Sequence, residues 1–182
     1  MSKTIIISGF PGVGKSYLAR QSKVDTQLPN CYDCESSDYQ WKKDPLGIAG
    51  PTRIENWVEK YVDAIINLKN FGTDGIGIFD AKIYDYILIS SHWEVRQELQ
   101  KRKVDYLVVY PAGGLRNKYM ARYLERGSSL AFMKSMYDTW GHKIHSMAED
   151  PMPQIILEDG QYLIDLFTGG CSNQVAVCRG TH

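Results

Sequence analysis

The segment Gly9-Phe10-Pro11-Gly12-Val13-Gly14-Lys15-Ser16 constrains this chain more than any other. It satisfies G-x-x-x-x-G-K-[ST] in full. It follows the β-branched run TIIIS at Thr4–Ser8, which reads as a buried strand, and precedes SYLARQS, which reads as a helix. Each residue type has a physical reason. The glycines let the main chain curl until successive N–H groups converge into a nest for phosphate oxygens. The helix beginning near Gly14 adds the positive end of its dipole. Lys15 brings an ammonium to β- and γ-phosphates, and the Ser16 hydroxyl is a Mg²⁺ ligand. Gly9, Gly12, Val13, Gly14, Lys15 and Ser16 are therefore the predicted nucleotide contacts. A coincidental glycine turn is the bland alternative; a chance match in a chain of this length is on the order of one in a hundred.

The rest of the chain alternates short apolar runs with helical periods. Cys31–Ser36, Tyr86–Ser90, Tyr106–Tyr110 and Ile155–Leu157 read as further strands. Thr52–Leu68 reads as a helix opened by a Thr52/Glu55 capping box. Trp93–Lys103, Leu115–Arg126 and Leu130–Met147 read as helices, and Tyr162–Phe167 as a last helical turn or two. Asp44–Pro51 reads as loop, Phe71–Ala81 is ambiguous, and the stretch from Thr168 has no period. Five strands alternating with helices predict an α/β fold: a doubly wound parallel sheet covered on both faces. Such sheets bind ligands at the carboxyl ends of their strands, so the chemistry is expected just after Ser8, Glu35, Ser90 and Tyr110.

Composition narrows the partners. With 182 residues, 43% apolar and 23% charged, the chain reads as one soluble globular domain. No apolar run approaches a membrane span, and the first ten residues do not read as a cleaved leader, so a cytoplasmic location is expected. Formal charge is zero, which weakens a case for tight duplex binding. Charge is uneven, however: Lys101–Arg126 holds seven Lys/Arg against two Asp/Glu, pointing to a local anion site. Cys31 and Cys34 have the spacing of a zinc knuckle, but on a strand they point to opposite faces, so buried thiols are expected.

At its glycine loop the chain resembles the P-loop nucleotide kinases, the nucleoside and nucleoside-monophosphate kinases and their phage-encoded relatives. Three more segments carry the resemblance: Asp33-x-Glu35 in the second strand, YILISSHWEVR, and KYMARYLERG, which looks like an arginine-bearing lid. The resemblance implies a five-stranded sheet in the order 2-3-1-4-5. It also implies phosphoryl transfer from ATP with Mg²⁺ to a hydroxyl or phosphate acceptor. On this reading residues 1–167 form the kinase domain, about 37–84 being an acceptor-binding insertion and about 115–130 the lid, and 168–182 a tail.

The same segments can be read physically. Lys118, Arg122 and Arg126 are spaced by four, and three cations on one helix face repel one another unless an anion sits among them. Arginines there would stabilise a transferring phosphoryl group, with Arg116 a further member; the alternative is a solvated basic face. Asp33 is expected to act as base or metal partner, with Ser16 sharing the metal, and Glu35 to contact the acceptor; the alternative is an exposed acidic turn. Ser90 and Ser91 are expected to bind acceptor phosphate or to position the γ-phosphate, while His92 either touches ligand or caps the next helix. The strand YILISS lacks the acidic residue of a motor-type ATPase, and Asp80 and Asp85 lie before it, at its wrong end. In the insertion, Trp41 and Arg53 are the ligand candidates, whereas Trp57 and Tyr61 fall on an apolar helical face and read as core. The catalytic set is thus Lys15, Asp33, Arg122 and Arg126, with Lys118 on the acceptor. The expected acceptor is a small-molecule nucleotide, first a (deoxy)nucleoside monophosphate, handled by a monomer or homodimer. The alternatives are a hydroxyl of DNA, on a polynucleotide end or a modified base, and a nucleotide-binding regulatory module without catalysis.

Overall fold

A computed structural model describes residues 4–43, 49–72 and 83–169. Its main sheet is built from β1 (Ile5–Gly9), β2 (Cys31–Asp33), β5 (Tyr86–Ser90), β6 (Leu107–Pro111) and β7 (Gln154–Leu157). A separate hairpin pairs β3 (Trp41–Lys43) with β4 (Ala49–Arg53). The helices are α1 (Lys15–Gln21), α2 (Ser37–Gln40), α3 (Trp57–Phe71), α4 (Trp93–Lys101), α5 (Arg116–Glu125) and α6 (Leu130–Ala148). Short 3₁₀ turns lie at Gly113–Leu115 and Leu163–Leu166.

The expected α/β class and parallel sheet are present. All four pairings of the main sheet are parallel, and the order across it is β2-β5-β1-β6-β7. The central strands are apolar on both faces because helices cover both: Ile6, Ile87, Leu88, Ile89, Val108 and Val109 are all fully buried. Parallel registration brings the strand ends to one edge. Gly9 lies opposite Ser90, and Asp33 opposite Leu88 on the other side of β5. The glycine loop, the acidic pair and the Ser-Ser-His segment therefore emerge together, as the sheet rule requires. Asp85 sits at the opposite end of β5, where its carboxylate accepts from the Asn30 amide at 2.8 Å and holds the entry to β2.

Several boundaries differ from expectation, each for a local reason. The helix expected from Thr52 begins at Trp57, so the Thr52/Glu55 capping box does not form. Thr52 and Arg53 are taken by β4, with Arg53 registered against Trp41 of β3, and Asn56 turns the chain with φ of 54°. The strand expected over Cys31–Ser36 ends at Asp33, and the chain enters the single helical turn α2 at Ser37. Part of the expected Asp44–Pro51 loop is strand from Ala49; residues 44–48 lie outside the described residues, as do 73–82 with Asp80, and 170–182 with Cys171 and Cys178. Cys31 and Cys34 are buried as expected. The Cys31 thiol donates to the Pro29 carbonyl, and burial pushes it up to about 12, which makes it an inert thiol. Among the described residues no three His, Cys, Asp or Glu side chains form a metal cluster, and no helix is long and apolar enough to cross a membrane.

Candidate nucleotide-binding site

The glycine loop closes over its own lysine. Lys15 Nζ donates to the Gly9 carbonyl at 2.8 Å and approaches the Phe10 carbonyl at 3.5 Å. The Pro11 carbonyl accepts from the Tyr123 hydroxyl at 2.9 Å, and the Val13 carbonyl from the Leu163 amide at 2.8 Å. A trans peptide points its C=O and N–H in opposite directions. The Pro11 and Val13 carbonyls are thus held from outside the loop, which turns the N–H groups of Gly12 and Gly14, on the same two peptides, the other way, as an anion nest requires. Gly12 is required twice over. Its φ is 85°, and an added Cβ would lie 2.9 Å from Tyr123 Cε1. Gly14, with φ of 97°, turns the chain into α1. Val13 is fully buried and anchors the loop from below, so it contributes main chain rather than side chain to any ligand.

Electrostatics tie the acidic pair to this lysine. Burial lowers the Lys15 pKa below its ordinary value, and the carboxylates of Asp33 and then Glu35 oppose that shift. Glu35 is raised above the ordinary carboxylate range, first by desolvation at the cleft wall and then by Asp33; Lys15 and a hydrogen bond from the Ser16 hydroxyl pull the other way. Among the described residues Asp33 Oδ1 is buried without a hydrogen-bond partner, and so is Ser90 Oγ. Buried oxygens of this kind carry a desolvation cost that a ligand or cation would relieve.

A single cleft of 1830 Å³ gathers the loop, Glu35, Ser90, Ser91 and His92, and both Arg122 and Arg126. That exceeds the ~300–1,000 Å³ usual for one small ligand and leaves room for two. Arg122 is stacked between Tyr162 and Tyr119, 3.9 Å and 4.6 Å from the ring centres, and donates to the Gln161 carbonyl at 3.2 Å. Its Nη1 is buried and has no hydrogen-bond partner among the described residues. Arg126 lies over Tyr123 at 4.8 Å and Phe132 at 5.3 Å, and donates to Ser128 Oγ at 2.7 Å. Its charge is felt at Lys15, which it lowers further. Beyond the loop the cleft continues between α4 and α6, past the exposed Trp93, to a buried pair in which Arg96 Nη1 donates to Asp150 Oδ2.

Not every expected residue arrives. Lys118 lies outside the cleft lining and pairs on the surface with Asp159 at 3.4 Å. Each four-residue step turns about 40° further round a helix, so Lys118 and Arg126 diverge by about 80° and only the later two cations reach the cleft. Arg116 also leaves the group and stacks over Tyr137 at 4.2 Å. Trp41 and Arg53 do not line the cleft: hairpin pairing holds them together, and the Arg53 guanidinium rests 5.0 Å over the Trp57 ring. Trp57 and Tyr61 are core, as expected; the Tyr61 hydroxyl donates to the Cys34 carbonyl and accepts from the Ser90 amide at 3.2 Å. His92 occupies the N-cap position of α4 without making a side-chain cap bond. Gln40 Nε2 lies 2.9 Å from its Nε2, Trp57 packs on it edge-on, and burial lowers its pKa, so it faces the cleft as a neutral ring.

The tyrosines that support the arginines were not singled out from the sequence. Tyr119 and Tyr123 did carry a signal, a four-residue step flanking Arg122 on the same helix. Tyr162 carried none, because it reaches Arg122 from a turn at the far end of the chain. No known protein-family model matches this chain, and no curated protein matches it either.

Proposed function

We propose that the protein transfers a phosphoryl group from ATP to a nucleotide-class acceptor held in the same cleft. One observation carries the reading: the phosphate loop, Glu35 and two arginines line one cavity with room for two ligands, while Asp33, which does not line it, acts on Lys15 and Glu35 through its charge. Counted along the chain, the parallel sheet runs 2-3-1-4-5, which agrees with the kinase-like resemblance. In this reading the loop amides and Lys15 hold the triphosphate, and Arg122 and Arg126 neutralise charge spreading over the transferred group. The residues suit a Mg²⁺ ion: Ser16 and the unpartnered Asp33 oxygen are hard donors that would hold it beside Lys15. Mg²⁺ would there neutralise phosphate oxygens.

The sequence-based expectation is a (deoxy)nucleoside monophosphate as acceptor. The second reading, a hydroxyl on a polynucleotide or modified DNA base, is favoured by Glu35. A phosphate acceptor is already ionised and is repelled by a carboxylate pair, whereas a hydroxyl needs a base. Glu35 opens on the cleft and has a raised pKa, so it suits that role better than Asp33 does. It would take the hydroxyl proton as the acceptor oxygen bonds to the γ-phosphorus and the bond to the bridging oxygen breaks, releasing ADP.

Coupled ADP release across a panel of monophosphates, run beside label transfer from γ-labelled ATP to DNA, separates the readings. Turnover with a monophosphate supports the first, and label on DNA the second. Tight MgATP binding with no transfer to either leaves a nucleotide-binding regulatory module and rejects the kinase.

A further inference from the structure

Helix α5 carries the two cations of the cleft, and its other face is locked into the molecule. Tyr119 and Tyr123 are 1% and 0% exposed. Both rings press on the phosphate loop at Gly12, where an added Cβ would meet Tyr123 at 2.9 Å and Tyr119 at 3.2 Å. Phe10, the second loop residue, packs edge-on against Tyr119 and against Trp140 of α6. The Trp140 indole donates to the Gly113 carbonyl at 2.8 Å, just ahead of α5. A hinged lid is drawn from parts of a fold with few buried contacts. This helix has the opposite character: lifting it would expose two whole tyrosines and strip the loop of its outer wall.

The Tyr123 hydroxyl has a more specific effect. It donates to the Pro11 carbonyl at 2.9 Å and so fixes the plane of the Pro11–Gly12 peptide. The N–H of that peptide belongs to Gly12 and points the opposite way, into the nest. The same ring carries the Arg126 guanidinium 4.8 Å over its centre, and the neighbouring Tyr119 carries Arg122. One side chain thus sets a loop amide and an arginine relative to each other.

We propose that Tyr123 is a positioning residue that holds the Gly12 amide and the α5 arginines in their phosphate-binding geometry before nucleotide arrives, so that α5 is a fixed wall rather than a hinged lid. The proposal rests on the triphosphate reading of the loop and adds how the outermost phosphate is recognised. The Pro11–Gly12 peptide is held from α5 through Tyr123, which also carries Arg126, so its amide and Arg126 would meet the terminal phosphate together. Lys15 would span the β- and γ-phosphates, and the inner phosphates stay with Gly14 and Ser16.

The test compares calorimetric affinities of the full chain for MgADP and for the non-hydrolysable triphosphate Mg-AMPPNP. The wild type should prefer the triphosphate. Tyr123→Phe, which keeps the ring and loses the hydroxyl, should reduce that preference about three- to tenfold, the worth of one hydrogen bond, while MgADP affinity stays within about twofold. Arg126→Ala should reduce it too, and the double variant should fall short of the product of the two effects. Equal weakening of both nucleotides by Tyr123→Phe, or an unchanged preference, overturns the proposal and leaves the triphosphate reading standing. A wild type that binds neither nucleotide overturns both. Amide hydrogen exchange on the wild type needs no variant. Residues 116–125 should be protected without nucleotide and gain little from Mg-AMPPNP. Fast exchange that slows only on binding makes α5 a lid and sinks the proposal even if Tyr123→Phe does not fold.

Discussion

Lys15 is an ammonium held in a desolvated loop, with the Gly9 and Phe10 carbonyls as its direct partners among the described residues and Asp33 and Glu35 as counter-charges. Such a group is costly to bury and is repaid when an anion binds. Lys15→Met should therefore weaken MgATP about 10- to 100-fold, the worth of a charge-assisted bond, in a titration that still shows a folded chain. Glu35 makes a pH-dependent prediction. Its native pKa is raised, so the folded protein holds that proton more tightly than the unfolded chain does. Its contribution to stability is present below the ordinary value of 4.5 and is lost as pH rises through the elevated native value. Glu35→Gln should accordingly melt no lower than wild type at pH 8, with the two curves converging towards pH 4. If Glu35 is the proposed base it works only when ionised, so turnover should climb with pH along an acid limb centred above 4.5, and Glu35→Gln should abolish that limb. A Glu35→Gln protein with an unaltered pH profile would assign the proposed base elsewhere.

At the level of elements, the cleft beyond the loop depends on how α4 and α6 are pinned. Arg96 of α4, 2% exposed, donates to Asp150 just after α6, and also to the Ser146 carbonyl at 3.0 Å and Ser146 Oγ at 2.8 Å. Asp150 accepts further from the Tyr106 hydroxyl at 3.0 Å and from the Met152 amide at 3.1 Å. Removing one member of a buried pair strands the other, at a cost of about 3–5 kcal/mol. Arg96→Met should destabilise by that order in urea, and adding Asp150→Asn should recover part of the loss. Equal stabilities for the single and double variants would show that the pair does not act as a unit. The hairpin of β3 and β4 gives the contrasting case. Trp41 and Arg53 pair there, outside the cleft, so Arg53→Ala should leave MgATP affinity unchanged within about twofold, an effect below ~0.5 kcal/mol.

For the molecule as a whole, the parallel sheet, the loop and α5 form one packed unit. A ligand that binds only this folded unit must stabilise all of it. At about 100 times its Kd, MgATP should add about 2.7 kcal/mol and raise Tm by roughly 5–10 °C for a chain of this size. If Ser16 and Asp33 hold Mg²⁺ as proposed, removing the ion with EDTA should shrink the shift. Lys15→Met should shrink it further. A full shift in EDTA would remove Ser16 and Asp33 from the proposed metal site.

Much of this was legible along the chain because it rests on local chemistry. The glycine loop, the apolar strands of the sheet core and the helix α6 follow from residue type and period, which act over a few neighbours. The convergence of the loop with Asp33, Glu35 and Ser90 was legible too, since parallel strands must end at one edge. What resisted reading depends on residues distant in sequence. Thr52 and Arg53 carry a helix-capping pattern, yet strand pairing with β3 outweighs it. Lys118 has the spacing of Arg122 and Arg126, but α5 turns it out towards Asp159. Tyr162 meets Arg122 only because the turn after β7 is bonded to the loop, the Leu163 amide donating to the Val13 carbonyl. Periodicity states which face a side chain takes on its own element; which neighbour covers that face is settled by packing free energy summed over the whole fold, and no local window contains that sum.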